Sequence, residues 1–500
     1  MARYKTYDYR QRVLLPVSLE EQLMPGTLEF AIHTLVEKRL DLSIFDDKYR
    51  NDETGRVAYD PKILLKVVLL AYSRGLISSR RIEQACRENV VFMALACGQH
   101  PDHSTIAAFV SSMKDEILPL FRDVLLVCEE MNLLGGTMFA LDGCKLPSNA
   151  SKEWSGTIGE LRKKKEKIET RVAQFLEEQM QTDQRQDDPP GPQASGANRQ
   201  QQVEKLQRKA ELIETWLAEN QPKLGAAGRE KQSNITDNES ATMMTSHGAV
   251  QGYNSQALID GKHQVIVHGE AFGNGQDHGH VPPMIAGALA NLQSLGHGPD
   301  YFKGKVFTAD SNYHTQVNLQ ECQELGLDAY IPDRKFRNRD PRFATQKRRQ
   351  MRRFTLKDFH YDEALDRYIC PKGKVLKLRA KRVLNYGHFY RKYLAAEKDC
   401  QACPLRPQCI YGAGAKRKQL SVPVGISLSK QMVEKIETEQ GRRIYPQRLA
   451  IAEPVFANIR INKRLDRFTL RGKIKVNIQW LMFCLVHNIE KILNYGIAYA

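Results

Sequence analysis

The chain has 500 residues, more than one ordinary hydrophobic core accommodates, so two or three domains are expected. A hydrophobic share of 42% with 26% charged residues describes a folded, soluble chain, and no uncharged apolar run reaches the ~20 residues that span a bilayer. A formal charge of +16 points to a polyanionic partner, although ribosomal, membrane-surface and heparin-binding proteins share such a balance.

The first residues, Met1-Ala2-Arg3-Tyr4-Lys5-Thr6, lack the apolar core of a signal peptide. The longest apolar stretches, 63–72 (interrupted by Lys66) and 480–486, are too short to span and read as buried helices. A cytoplasmic protein is therefore expected, and its ten cysteines are not expected to form a disulfide framework. Six of them, Cys86, Cys97, Cys128, Cys144, Cys322 and Cys484, occur singly and read as structural thiols.

The first 134 residues read as helical. Residues 61–72 are apolar almost all round, as in a buried helix. A second helix opens on Ser78, residues 90–96 are apolar again, and Asp102-His103-Ser104-Thr105 caps a helix through Ile106, Phe109, Val110 and Met113. Such short helices suit either a helix-turn-helix that enters a DNA groove or a packing and dimerisation module. After Gly135-Gly136 the pattern changes. Residues 137–141 read as a buried strand ending on Asp142-Gly143. Strands recur near Val250, at 256–259 and at 263–268, with Asp260-Gly261 as a hairpin turn signal between the last two. A helix over 281–295, a strand over 305–309 ending on Asp310, a helix over 317–325 and a strand over 329–331 follow.

Two segments interrupt this alternation. Residues 158–228 carry Leu161, Ile168, Val172, Phe175 and Leu176 at helical spacing, then a second such arm through Val203, Leu206, Leu212, Ile213 and Trp216. Asp187-Asp188-Pro189-Pro190-Gly191-Pro192 between them cannot continue a helix, so a helical hairpin is expected. Residues 333–440 carry a basic run and a cysteine cluster, and helices are expected again from Glu453. With both set aside, the order is strand with Asp, hairpin strands, helix, strand with Asp, helix, strand, gap, helix with Glu. That order predicts an α/β ribonuclease H-like catalytic core over 135–500, behind an N-terminal helical domain over 1–134.

Asp142 follows four apolar residues, and Asp310 has the same setting in Val306-Phe307-Thr308-Ala309-Asp310. Asp142 before Gly143 also fits a simple turn, and Glu453 before Pro454 fits an acid at a helix start. Together they fit a metal site. Mg²⁺ takes oxygen ligands, and carboxylates on rigid strand ends and an adjacent helix can be arranged before a substrate arrives.

Five blocks, in order, resemble the DDE transposases of bacterial insertion sequences, in particular the IS-eleven-eighty-two type branch of the IS-four/IS-five-like superfamily. They are Tyr59-Asp60-Pro61-Lys62-Ile63-Leu64-Leu65-Lys66, Leu141-Asp142-Gly143-Cys144-Lys145, and the block from Thr245-Ser246-His247-Gly248 through Gly252-Tyr253-Asn254-Ser255-Gln256-Ala257. Ala309-Asp310-Ser311-Asn312-Tyr313 and Ala452-Glu453-Pro454-Val455-Phe456-Ala457-Asn458-Ile459-Arg460 complete them, and the tail from Arg467 to Asn488 also fits. The resemblance implies a DNA transposase that binds terminal inverted repeats and target DNA. Asp142, Asp310 and Glu453 would hold two Mg²⁺ or Mn²⁺ ions, and a homodimer or larger synaptic complex would hold two DNA ends. It further implies phosphate contacts from Tyr445, Arg448 and Arg460, with Arg460 standing where Lys is common. Seven residues from Glu453, Arg460 is expected two turns along the same helical face.

The basic run includes Lys335, Arg337, Arg348, Arg349 and Arg352 with Phe336, Phe343 and Phe354 interleaved, which suits either a solvated surface or one that tracks phosphates. Cys370, Cys400, Cys403 and Cys409 have the makings of a four-thiolate zinc site, and the resemblance places a cluster here; reduced thiols or an iron–sulfur site are the alternatives. Two other functions stay open: a nuclease of this fold without strand transfer, and an inactive DNA-binding regulator.

Overall fold

Side-chain caps start most of the N-terminal helices. In the computed structural model, Thr27 Oγ1 accepts from Phe30 N to open α1 (Leu28–Lys38), and Asp60 accepts from Lys62 N, with Pro61 in the first turn, to open α2 (Pro61–Ser73). After α3 (Ser79–Glu88), Asn89 caps α4 (Val90–Leu95), Asp102 caps α5 (His103–Ser112) through Thr105 N at 2.9 Å, and α6 (Ile117–Glu130) follows. The expected burial of α2 holds even at Lys66, which is 2% exposed and pairs with Glu37 at 2.9 Å. That partner offsets the cost of burying an ammonium group.

Described residues are 18–48, 57–184, 194–225, 228–245, 248–340, 353–385, 388–412, 414–424 and 428–496. Outside them lie the first six residues, the helix breaker 187–192, Ser246, His247, and the run holding Phe343, Arg348, Arg349 and Arg352. Beyond α6 the chain forms β1 (Met138–Pro147), β2 (Ser155–Gly156), α7 (Ile158–Gln184), α8 (Ala194–Glu219), β3 (Ser233–Asn234), β4 (Ala241–Thr245), β5 (Gly248–Asp260) and β6 (Ile266–Phe272). Next come α9 (Val281–Ser294), β7 (Val306–Ala309), α10 (Gln316–Glu324), β8 (Asp328–Tyr330), α11 (Phe336–Arg339), β9 (His360–Asp362), β10 (Arg367–Ile369), β11 (Val375–Asn385) and β12 (His388–Ala395). The last elements are α12 (Glu397–Gln401), α13 (Arg406–Cys409), β13 (Gln419–Pro423), α14 (Leu428–Glu437), α15 (Glu439–Ile444), α16 (Gln447–Ala457) and α17 (Lys473–Tyr495). Two compact units result: one of residues 1–309, 324–329 and 446–500, the other of 310–323 and 330–445.

The first unit is built on a sheet of order β4-β5-β1-β7-β8, with β6 also paired to β5. β1 runs antiparallel to β5 and parallel to β7, with Leu141 opposite Ala309. Two sequence expectations change here. The strands expected near Val250 and at 256–259 are one continuous strand, and β1 does not end on Asp142 but runs on to Pro147. The long β5 supplies the reason, since residues 252–256 pair with residues 143–147. Asp142-Gly143 is thus mid-strand and not a turn. Gly143 is needed because the Gln256 side chain lies across it where a Cβ would stand. The Asp260-Gly261 turn holds as expected, and buried Asp260 accepts from the backbone N–H groups of Gly135 (2.9 Å), Gly136 (2.7 Å) and Lys262 (2.9 Å).

Helices cover both faces of this sheet. On β6, the His268 ring stands against Gly287 of α9, while its neighbour Gly269 stands against Cys484 and Trp480 of α17. Successive strand residues face opposite ways, so α9 and α17 lie on opposite sides. Trp480 Nε1 donates to the Gln256 carbonyl at 2.9 Å. Asn488 and Asn477 each bond both backbone groups of one β6 residue, Ile266 and Ala271 respectively. The N-terminal helices share this core, with Tyr72 of α2 stacked on Phe483 at 4.8 Å between ring centroids. α7 and α8 pack through Leu161, Ile213 and Trp216.

The second unit holds an antiparallel sheet of order β13-β12-β11-β10-β9 over a small core of Phe359, Tyr368, Leu376, Tyr393, Ala395, Cys400 and Leu420. No strand is expected over 333–440, yet this sheet occupies much of that segment. Leu376 and Leu378 face the core while Lys377 and Arg379 are exposed, a period-two pattern that short strands and bulges obscure. Short helices already occur at Glu397–Gln401 and Arg406–Cys409, and the longer helices towards the end of the chain begin at Leu428, not at Glu453.

Candidate active site

The first unit orients Asp142 from two sides. Its Oδ1 accepts from Gly143 N at 2.9 Å, and its Oδ2 accepts from Arg448 Nη1 of α16 at 2.6 Å. Arg448 is 8% exposed, so the pair is largely withdrawn from water and its attraction is weakly screened. A phosphate contact was the role expected of Arg448; in the structure its guanidinium balances the Asp142 carboxylate.

α16 carries a proline in its interior. Glu453 is therefore not at a helix start, because Pro454 lies well inside the helix. Proline has no N–H for the carbonyl four residues back. That carbonyl, of Ala450, accepts instead from Gln264 Nε2 at 2.8 Å. The bond joins α16 to the β5–β6 turn. Glu453 itself is exposed. After Ala457 the helix widens into a π turn, Asn458–Asn462, closed by Lys463 N to Asn458 O at 3.0 Å. A π turn holds more residues than an α turn, so Glu453 and Arg460 are not separated by two plain α turns as expected. Arg460 is exposed. Burial pushes the Cys144 thiol up to about 12, nearby Arg460 pulls it down, and Asp142 adds to the rise.

A buried polar ladder opposite this strand escaped the sequence reading of function. Asn254 and Gln256 of β5 both donate to Asp277 Oδ1, at 2.7 and 3.0 Å, and face Lys145 and Gly143 of β1. Tyr253 donates to Asp237 at 2.8 Å. The signal was present as polar residues in the middle of a buried strand.

Asp310 follows Ala309 and caps a 3-10 turn, accepting from Asn312 N at 2.7 Å. Tyr445 stacks edge-on against Phe336 at 5.3 Å. Lys335 and Arg337 are exposed beside α11. Arg348, Arg349 and Arg352 lie outside the described residues. In the second unit Cys370, Cys400 and Cys409 pack in one cluster. The Cys409 thiol is pushed up by burial and further by Cys400, Cys370 and Cys403, while Lys418 pulls it down. Among the described residues no group of three or more His, Cys, Asp or Glu side chains is placed to hold a metal ion. Oxygen donors at Asp142, Asp310 and Glu453 nonetheless suit a hard divalent cation by chemistry, and thiols suit zinc. Among the described residues no helix is long and apolar enough to cross a membrane.

Two family models match this chain: a Transposase DDE domain over residues 369–493, which takes in the cysteines, Arg448, Glu453 and Arg460, and a Transposase domain (DUF772) over residues 17–112. Comparison with curated proteins gives no match. The two matches support an insertion-sequence transposase of the DDE type, a family of metal-dependent polynucleotidyl transferases.

Proposed function

We propose that the chain binds the terminal inverted repeats of an insertion sequence and catalyses metal-dependent DNA cleavage and strand transfer. The catalytic part would be a ribonuclease H-like core over residues 135–500, interrupted at 158–228 and 333–440 and preceded by the helical domain over 1–134. The observation that carries the reading is the register of β1 and β7: Leu141 lies opposite Ala309, and an aspartate follows each. Sheet order supports it, with one strand antiparallel and one parallel to β1.

Asp142, Asp310 and Glu453 would hold two Mg²⁺ or Mn²⁺ ions. When bound, such ions make water or a 3′-hydroxyl nucleophilic and neutralise the departing oxygen. Arg448 holds the Asp142 carboxylate in one orientation and balances its charge. Arg460 and Tyr445 contact phosphate near the cut, and Lys335, Arg337, Arg348, Arg349 and Arg352 extend the basic track. A homodimer or larger assembly holds the two ends. Cys370, Cys400, Cys403 and Cys409 would take a structural zinc ion; the affinity of thiolates for zinc supports this. Metal analysis of the purified protein tests it, and a zinc-free, fully stable protein would rule it out.

A strand-transfer assay on a labelled inverted-repeat duplex with Mg²⁺ or Mn²⁺ tests the main reading. Cleavage without joined product would mark a nuclease, and binding without either would mark a regulator. Retention of joining by Asp142→Asn, Asp310→Asn and Glu453→Gln together would end the proposed mechanism.

A further inference from the structure

The chain's excess positive charge is concentrated. Residues 353–424 contain 16 Lys and Arg against 6 Asp and Glu, a formal +10 of the chain's +16. Within them, residues 375–395 of the β11–β12 pair hold six cations and no carboxylate. We propose that the exposed face of β11, carrying Lys377, Arg379, Lys381 and Arg382, is a docking surface for the phosphate backbone of duplex DNA. The inference deepens the reading of DNA as partner and rests on it.

The local structure gathers these charges and leaves them open. Alternation sends Lys377 and Arg379 outward while Leu376 and Leu378 enter the core. Between Ala380 and Val383 the ladder bulges, three steps on β11 matching two on β12, and both Lys381 and Arg382 are exposed. A bulge that leaves consecutive residues unpaired is what allows two neighbouring cations on one surface. Among the described residues, none of the four has a carboxylate within ion-pair distance. The carboxylate whose charge Lys381 feels, Asp366, already accepts from the hydroxyls of Tyr361 (2.8 Å) and Tyr393 (2.6 Å). Arg382 lies flat on the ring of Phe389, 3.8 Å from its centroid, which fixes one guanidinium in place.

Duplex DNA suits this arrangement. Cations two residues apart on a strand stand about 7 Å apart, and each strand of duplex DNA presents a phosphate about every 3.4 Å of helix axis, so a closely spaced row of cations meets a dense row of anions. Pairing four cations costs nothing in lost internal ion pairs, so the gain on binding comes from released counterions and must fall with salt.

The test uses the full chain and a fluorescent duplex carrying the element's inverted repeat, with affinity measured across a salt series. Changing Lys377, Arg379, Lys381 and Arg382 to Gln together is expected to weaken binding at low salt and to flatten the slope of log affinity against log salt by about 3 to 4. Swapping the charges in kind, Lys377→Arg with Arg379→Lys, is expected to keep the slope, which separates charge from misfolding. An unchanged slope in the Gln variant overturns the proposal. So does a variant that binds DNA normally but loses binding to vesicles rich in anionic lipid, which would reassign the face to a membrane surface. Cleavage and joining measured on the same preparations keep the readings distinct: a wild-type protein that joins no DNA, with the slope effect present, counts against the catalytic reading and for this one.

Discussion

The two larger sheets of this protein, one mixed and one wholly antiparallel, treat charge in opposite ways. In the first unit, helices α9 and α17 cover both faces, and Asp142 has its own counter-ion in Arg448. In the second unit the sheet lies over a small core, and β11 presents exposed cations with no carboxylate among them. Burial decides the difference. A charge inside a covered sheet must be balanced within the protein. One on an open strand can wait for a partner from outside. Chemistry is therefore expected of the first sheet and electrostatic attraction of the second.

The largest expected effect probes the first half of that contrast. Asp142→Asn should lower strand transfer by on the order of 10³-fold, the worth of several kcal/mol of metal-assisted stabilisation, with DNA affinity little changed. Loss of affinity with turnover intact would reverse the roles of the two sheets. Next, Trp480→Ala removes a fully buried ring from the covered face and should cost about 3–5 kcal/mol in a urea unfolding curve. Gly269→Ala would push a methyl against Cys484 and Trp480, and a loss of about 1–3 kcal/mol is expected in the same measurement.

The pH dependence distinguishes the sheets as well. Burial pushes His487 of α17 down to about 3, helped by nearby Lys463, against the ordinary 6.5. The native form holds this ring neutral, so its contribution is complete above pH 6.5 and is lost as pH falls towards 3, when the unfolded chain binds the proton. Thermal melts from pH 7.5 to 4 should show the decline, and His487→Gln should flatten it; an equally steep decline in the variant would place the cause elsewhere. The smallest effect belongs to the second sheet. Lys377→Ala should change the unfolding free energy by no more than about 0.5 kcal/mol, read from a urea curve, because that ammonium group is exposed.

Local signals made part of this legible from sequence. Asp102 as a cap, Pro61 at a helix start, the Asp260-Gly261 turn and the apolar run before Asp310 act within a few residues, and the structure places α5, α2, the β5–β6 turn and β7 accordingly. Long-range pairing was not legible. The Arg448–Asp142 bond joins residues 306 apart, and the extension of β1 beyond Asp142 depends on a strand more than a hundred residues later. The second sheet was hidden by three-residue strands and bulges, which break the alternation that marks a strand. Pro454 misled because a proline inside a helix needs a substitute donor, and Gln264 is remote in sequence.

The asparagines of α17 have a consequence for how copies of this protein meet. By bonding both backbone groups of Ile266 and of Ala271, Asn488 and Asn477 occupy positions at which a foreign strand would otherwise add to β6. Growth of the sheet from chain to chain is blocked there by two amides. A second copy can therefore meet this one through side chains, but not by adding a strand at those two positions of β6.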